Sequence, residues 1–136
     1  MKTIRVISCG KTKRPGTSPA KDLYVGTFFK QCRMWAEESP DGWIIFSAKH
    51  GVLLPDELVE CYDQHDPVPD WKEKVLAKLD KNAHYLSVAG NQYMSKLKEY
   101  HPTWIENVFP MGGDFRMGKK RGWLRVHTES RRGLFS

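Results

Sequence analysis

The segment Trp43-Ile44-Ile45-Phe46-Ser47-Ala48 restricts the fold more than any other part of the chain. A run that is apolar on both alternating faces has no side to show water, so it belongs in a sheet covered on both faces, the setting of a parallel strand. Ile4-Arg5-Val6-Ile7 is a second short β-branched run, and Ala83-His84-Tyr85-Leu86-Ser87-Val88-Ala89 a third. Helical periodicity alternates with these runs. Phe28, Cys32 and Trp35, with Phe29 and Ala36 beside them, predict an amphipathic helix over 27–38, with Thr27 as N-cap and Ser39-Pro40-Asp41-Gly42 as its end. Asp70-Trp71-Lys72-Glu73 has the form of a capping box and opens a helix over 71–81, with Trp71, Val75, Leu76 and Leu79 as its inward stripe. Gly90-Asn91 reads as an exit loop into a helix over 92–100 carrying Tyr93, Leu97 and Tyr100, which His101-Pro102 stops. Asn107-Val108-Phe109-Pro110 reads as a last short strand, and 49–69 as a long irregular connection. Alternating strands and helices predict one three-layer α/β/α domain with a mainly parallel sheet of about four strands. At 136 residues the chain is large enough to bury its own core, with residues 114–136 as a basic segment of the same domain.

Apolar content of 40% and charged content of 28% are those of a globular protein, and no apolar run approaches the ~20 residues of a membrane span. In Met1-Lys2-Thr3-Ile4-Arg5-Val6-Ile7 the charge at Arg5 interrupts an apolar stretch already too short for a signal segment, so a cytoplasmic location is expected. Cys9, Cys32 and Cys61 are odd in number and match no zinc or disulfide spacing. Reduced thiols are expected, with no metal and no cofactor. The 22 basic and 16 acidic side chains give a net charge of +6. Arg116, Lys119, Lys120, Arg121, Arg125, Arg131 and Arg132 stand against Glu129 alone, a footprint for a polyanion, with a solvated basic tail as the alternative. Nucleic acid, DNA before RNA, is the expected partner, through Arg116, Lys119, Lys120 and Arg121. Gly118-Lys119-Lys120-Arg121-Gly122-Trp123-Leu124 mixes cations with an aromatic in a way that suits it, although Trp123 and Leu124 equally suit a role in pinning this segment to the core.

Two small-residue cationic loops follow strand-like runs: Ser8-Cys9-Gly10-Lys11-Thr12-Lys13 and Lys49-His50-Gly51. In an open α/β sheet ligands sit outside the carboxyl ends of the strands, so both loops are placed to receive a phosphate, with Lys11, Lys13 and Lys49 converging on it. The glycine spacing is not that of a Walker A loop, but backbone amides with these lysines form a natural anion nest. Cys9 is a nucleophile if its thiol is activated by the lysines, and otherwise a small buried thiol. Asp56, Glu57, Glu60 and Asp63 enrich the connection after His50 in carboxylates. A fixed carboxylate near a phosphate site suits cleavage of an N-glycosidic bond, where the departing base leaves positive charge on the sugar. Asp56 and Glu57, with His50, are the catalytic candidates, and Asp63 the next; a turn, a cap or an ion pair is the alternative for each. Asp22, Tyr24, Gly51, Tyr62 and Asp63 complete the substrate-binding candidates, the two tyrosines as faces on which a base stacks.

Ser8-Cys9-Gly10-Lys11-Thr12-Lys13, Ala20-Lys21-Asp22-Leu23-Tyr24, Phe46-Ser47-Ala48-Lys49-His50-Gly51, Pro55-Asp56-Glu57, Tyr62-Asp63 and the Gly118–Leu124 segment together resemble the DUF6884 family of small bacterial and phage proteins. The resemblance covers most of the chain. That family resembles in turn the C-terminal-type domain of archaeosine synthases and, by fold, the uracil-DNA glycosylase superfamily and the DNA-binding peroxide-stress proteins, which implies a uracil-DNA glycosylase-like fold. The chain lacks the Gly-Gln-Asp-Pro-Tyr-His and His-Pro-Ser motifs of uracil-DNA glycosylases, and His101-Pro102-Thr103 follows a predicted helix. The catalytic residues of that superfamily therefore have no counterparts to copy. The functional expectation is a DNA glycosylase releasing a modified base. A non-catalytic DNA- or RNA-binding module and a nucleotide hydrolase or deoxyribosyltransferase are the alternatives.

Overall fold

The computed structural model describes residues 1–100, 104–109 and 117–128. Its centre is a five-stranded sheet of β1 (Thr3–Ser8), β3 (Trp43–Ser47), β4 (Gly51–Leu53), β6 (His84–Ser87) and β7 (Ile105–Asn107), in the order β4-β3-β1-β6-β7. β3, β1, β6 and β7 are parallel, and β4 runs antiparallel along the outer edge of β3. Between them lie β2 (Thr17–Pro19), α1 (Ala20–Leu23), α2 (Thr27–Ala36), β5 (Leu58–Glu60), α3 (Trp71–Lys78), α4 (Asn91–Met94) with a 3-10 turn at Ser95–Tyr100, and α5 (Met117–His127).

Strand alternation sends neighbouring residues to opposite faces, and both faces are covered. Val6, Ile44 and Phe46 pack with Trp71, Val75, Tyr93, Met94 and Leu97 from α3, α4 and the 3-10 turn. Ile7 and Ile45 pack with Leu23, Phe29, Cys32, Trp35 and Leu124 from α1, α2 and α5. The chain moves from β1 outward to β3 through α2, then reverses past β1 to β6 through α3. A constant crossover hand requires the helix to change faces when the direction reverses, which is the observed arrangement. The reversal opens a crevice between the carboxyl ends of β1 and β6.

Several expected boundaries move. The stretch 49–69 is not irregular throughout: Gly51 at φ +79° turns the chain back so that Gly51, Val52 and Leu53 pair with Ser47, Phe46 and Ile45. β5 then pairs antiparallel with β2, Thr17 opposite Glu60 and Pro19 opposite Leu58. The last strand lies two residues earlier than expected, because Ile105 fills the core and the Asn107 side chain accepts the Phe109 N–H at 3.1 Å, ending it. Asp70 makes no side-chain cap; its carbonyl receives the Lys74 N–H, and the Trp71 N–H goes to the Val68 carbonyl. Gly26, not Thr27, is the N-cap of α2, without a side-chain cap bond. The expected 92–100 helix changes to 3-10 geometry at Ser95, with non-helical angles at Leu97. His101, Pro102 and Thr103, and Pro110 of the expected last strand, lie outside the described residues, and no helix among those described is long and apolar enough to cross a membrane.

Gly51 therefore has a structural duty of its own in the β3–β4 turn. A Cβ there would lie 2.9 Å from Lys74 Cβ, on backbone of positive φ. Gly51→Ala should lower unfolding free energy by about 2–4 kcal/mol through left-handed strain and overpacking, as read from urea denaturation.

Candidate functional site

The carboxyl edge of the sheet gathers the candidate site. Both cationic loops emerge there, because β1 and β3 are parallel neighbours with Ser8 beside Phe46. The Cys9 N–H donates to the Phe46 carbonyl at 2.9 Å, and the loop then runs beside Leu23–Val25, with Val25 N–H on the Thr12 carbonyl and Arg14 N–H on the Leu23 carbonyl. Lys13 pairs as an isolated bridge with Tyr24.

Beneath the loops lies a buried polar network. Tyr62, 8% exposed, places its hydroxyl 2.5 Å from that of Tyr24 and 2.8 Å from Ser47 Oγ. Ser47 Oγ also accepts the His50 N–H, and the Ser47 carbonyl accepts Trp71 Nε1–H at 2.9 Å. Tyr93 adds a third hydroxyl, 3.2 Å from Cys9 Sγ. Burial holds the phenols of Tyr24, Tyr62 and Tyr93 protonated well beyond the ordinary tyrosine range, and the adjoining phenol or thiol adds to it. Burial, followed by the Lys49 ammonium, pushes the His50 imidazole down, which favours its neutral form.

The cations stand on this floor. Lys13 Nζ is 4.6 Å and Lys49 Nζ 5.7 Å from the Tyr62 ring centroid, so ammonium groups from the two loops share one aromatic ring, with the His50 ring edge-on at 5.2 Å. Cys9, Gly10 and Lys11 form a ridge between two clefts. One, of about 340 Å³, adds Lys13, Gln64, His65, Asp66, Gln92 and Tyr93. The other, of about 500 Å³, lies at the crevice between β1 and β6, where Ser8, Val88 and Gly90 meet the first turn of α2 and, from α5, Lys120 and Arg121. Among the described residues none of Lys11, Lys13, Lys49, Lys120 and Arg121 has a carboxylate within 4.0 Å, whereas Lys21, Arg33 and Lys72 are paired.

The edge thus gathers Ser8, Cys9, Gly10, Lys11, Lys13, Lys49, His50, Tyr24 and Tyr62 with Lys120 and Arg121. Of the acidic candidates it does not gather Asp22, Asp56 or Glu57. The antiparallel course of β4 carries Asp56 and Glu57 toward the other edge of the sheet, where Asp56 pairs with Lys21 at 2.7 Å and Glu57 accepts the Leu54 N–H in a turn. Asp22 ties α1 to α2 through Arg33 at 2.9 Å, and Asp63 is exposed and 3.0 Å from His65 Nε2. Tyr24 at 1% exposure and Tyr62 offer hydroxyls and a cation-bearing ring to the site; Tyr24 has no open face for a base. Lys119 is exposed on α5, and Arg116 lies outside the described residues with Glu129, Arg131 and Arg132. Trp123 packs edge-on to Trp35 at 5.9 Å and Leu124 is fully buried, so they pin α5 to α2. Ser47, Tyr93, Gln64, His65 and Asp66 escape a sequence reading, since Ser47 sits in an apolar run and Tyr93 on a helical stripe. Among the described residues no three His, Cys, Asp or Glu side chains are grouped to hold a metal ion.

Comparison with known proteins agrees with the resemblance drawn from the motifs. The model of a family of unknown function, DUF6884, matches residues 4–126. The chain belongs to this family. It is also 43% identical over 65 residues to the uncharacterized protein YfjM of Bacillus subtilis (strain 168), a match covering 43% of each chain. A third similarity is to human mitochondrial enolase superfamily member 1, 32% identical over 74 residues, covering 54% of this chain and 16% of that protein. The chain spans less than half the length of either relative, and no solved structure matches it significantly.

The buried phenols fix an alkaline limit. Their folded-state pKa values lie above the unfolded value near 10, so their contribution is intact below pH ~10 and is lost as pH rises further, because the unfolded chain sheds these protons first. Phenolate absorbance from Tyr24, Tyr62 and Tyr93 should appear together with loss of circular dichroism, and Tyr62→Phe should remove one phenol from that cooperative step.

Proposed function

We propose that this protein binds nucleic acid across the carboxyl edge of its sheet, with phosphates held by Lys11, Lys13, Lys49, Lys120 and Arg121. The observation that carries this reading is that Lys11 and Lys13 of the β1 loop and Lys120 and Arg121 of α5 line two adjoining clefts, with Lys49 beside Lys13 on the Tyr62 ring, and that among the described residues no carboxylate lies within 4.0 Å of any of them. A strand suits the site better than a lone nucleotide, because the clefts adjoin across the Cys9–Lys11 ridge and the cations extend over both. Neutralised phosphates release counterions, so affinity for single-stranded DNA should fall steeply with salt. Lys13→Ala and Lys120→Ala should each flatten the log–log salt dependence by about 0.7, as measured by fluorescence anisotropy. Slopes equal to the parent's would remove these lysines from the interface.

Cleavage of an N-glycosidic bond, releasing a modified base, is the second reading. One observation favours it: Asp66 and His65 line the same cleft as Cys9, Lys13 and Tyr93. A carboxylate there would stabilise the positive charge that develops on a sugar as its base departs, while Tyr93, kept neutral by burial, donates a hydrogen bond. Asp56 and Glu57, engaged elsewhere, have no part in it. On DNA carrying modified bases, Asp66→Asn should reduce base release on the order of 10²-fold while Asp56→Asn leaves it intact. Equal activity of both variants would exclude Asp66 from the chemistry.

A further inference from the structure

We propose that the larger cleft is a dedicated phosphate-ester subsite and that α5 completes it. The ligand class rests on the nucleic-acid reading above; the assignment of one cleft as the seat of a single phosphate ester, closed on one side by the packed α5, deepens that reading.

The cleft occupies the crevice where the direction of strand order reverses, between Ser8 at the end of β1 and Val88 and Gly90 after β6. That is the place where open α/β sheets leave room for a ligand. Cations reach it from two directions, Lys11 from the β1 loop and Lys120 and Arg121 from α5. Arg121 Nε is shielded from solvent and has no hydrogen-bond acceptor among the described residues. A guanidinium with an unmatched N–H gains from a nearby anionic oxygen, and Arg121 lines the cleft that such an oxygen would occupy. The first turn of α2 supplies further donors, since Thr27 and Phe28 line the same cleft and Gly26 provides no side-chain cap. Phe28, Phe29 and Val88 make another wall apolar, which suits the carbon part of a phosphate ester better than a bare ion.

Docking of α5 makes this a built site. Gln31 Nε2, on a side chain buried in α2, donates to the Arg121 carbonyl at 2.8 Å, and Phe109 meets Trp123 edge-on at 5.5 Å. Thr128 Oγ1 returns a hydrogen bond to the Leu124 carbonyl. Lys120 Nζ lies 5.6 Å from the Phe109 ring. Lys120 and Arg121 are thus set beside the β1 loop by a packed helix.

The test uses two probes, thymidine 5′-monophosphate and a short oligothymidylate, titrated against the parent, Lys11→Ala, Arg121→Gln and Arg121→Lys. Lys81→Ala, an exposed cation before β6, serves as control. Binding is read by calorimetry and by protection of Cys9 from alkylation. Cys61 is exposed and reacts throughout, whereas Cys32 is buried and its thiol is pushed up to about 12, so it stays silent. Lys11→Ala and Arg121→Gln should each weaken the oligonucleotide about tenfold or more, against less than about threefold for Lys81→Ala, and both should lose Cys9 protection. Arg121→Lys keeps the charge but not the fixed Nε donor, so partial recovery at unchanged melting temperature separates binding from folding. If the oligonucleotide binds the parent but the Lys11 and Arg121 variants behave like Lys81→Ala, the subsite is wrong and the nucleic-acid reading stands. If the monophosphate binds with that variant pattern and the oligonucleotide does not bind, the subsite stands and the nucleic-acid reading falls. Failure of both probes to bind or to protect Cys9 overturns both.

Discussion

Strand β1 is hydrogen-bonded on both sides, to β3 over Arg5–Ser8 and to β6 over Thr3–Val6, and the rest of the molecule is arranged around that double pairing. A strand in this position must be apolar on both faces, and Val6 and Ile7 are both fully buried. Because both partners are parallel, each of the three chains leaves the sheet at the same edge, so their loops meet. Cys9 lies where β1 ends and packs against the cores of both faces. The candidate site follows from the topology: the central strand delivers its loop to the part of that edge where the winding of the sheet reverses.

The second organising element is Ser47, the last residue of β3 and fully buried. Its hydroxyl joins Tyr62 and the His50 N–H, and its carbonyl joins Trp71, so one small polar residue ties the β3–β4 turn, α3 and the segment after β5 together. Buried polar groups are tolerated only when satisfied. Here they are satisfied by one another, and their upper surface is the ring that carries two ammonium groups. The floor of the site and the specification of the local fold are made by the same side chains.

The parallel sheet was legible because its strands are short apolar runs separated by amphipathic helices, and the carboxyl-edge location of the lysine loops followed from that topology. The antiparallel β4 was not legible: it is three residues long, and its direction is set by a glycine whose neighbours resemble loop. This one feature explains the fate of the acidic candidates. Asp56 and Glu57 follow His50 closely in sequence, but a reversed strand intervenes and carries them away. Proximity of Lys120 and Arg121 to the first loop is a tertiary fact carried by the packing of Trp35 with Trp123 and by Gln31, and no local pattern announces it. Their chemistry was readable; their address was not.

The β2–β5 ribbon bears on how the molecule moves. β2 follows the loop that carries Lys11 and Lys13, and β5 precedes the segment that carries Tyr62, while the Cys61 N–H reaches back to the Gly16 carbonyl at 2.9 Å. Ala20 and Lys21 donate their N–H groups to the carbonyls of Glu57 and Pro55, extending the seam past the ribbon. Two excursions that are distant in sequence are therefore zipped into one ribbon, seated on the core through Val59 and Tyr62. Displacing either means bending both or breaking backbone hydrogen bonds, so the Lys13 and Tyr62 segments shift as one plate and cannot flutter independently.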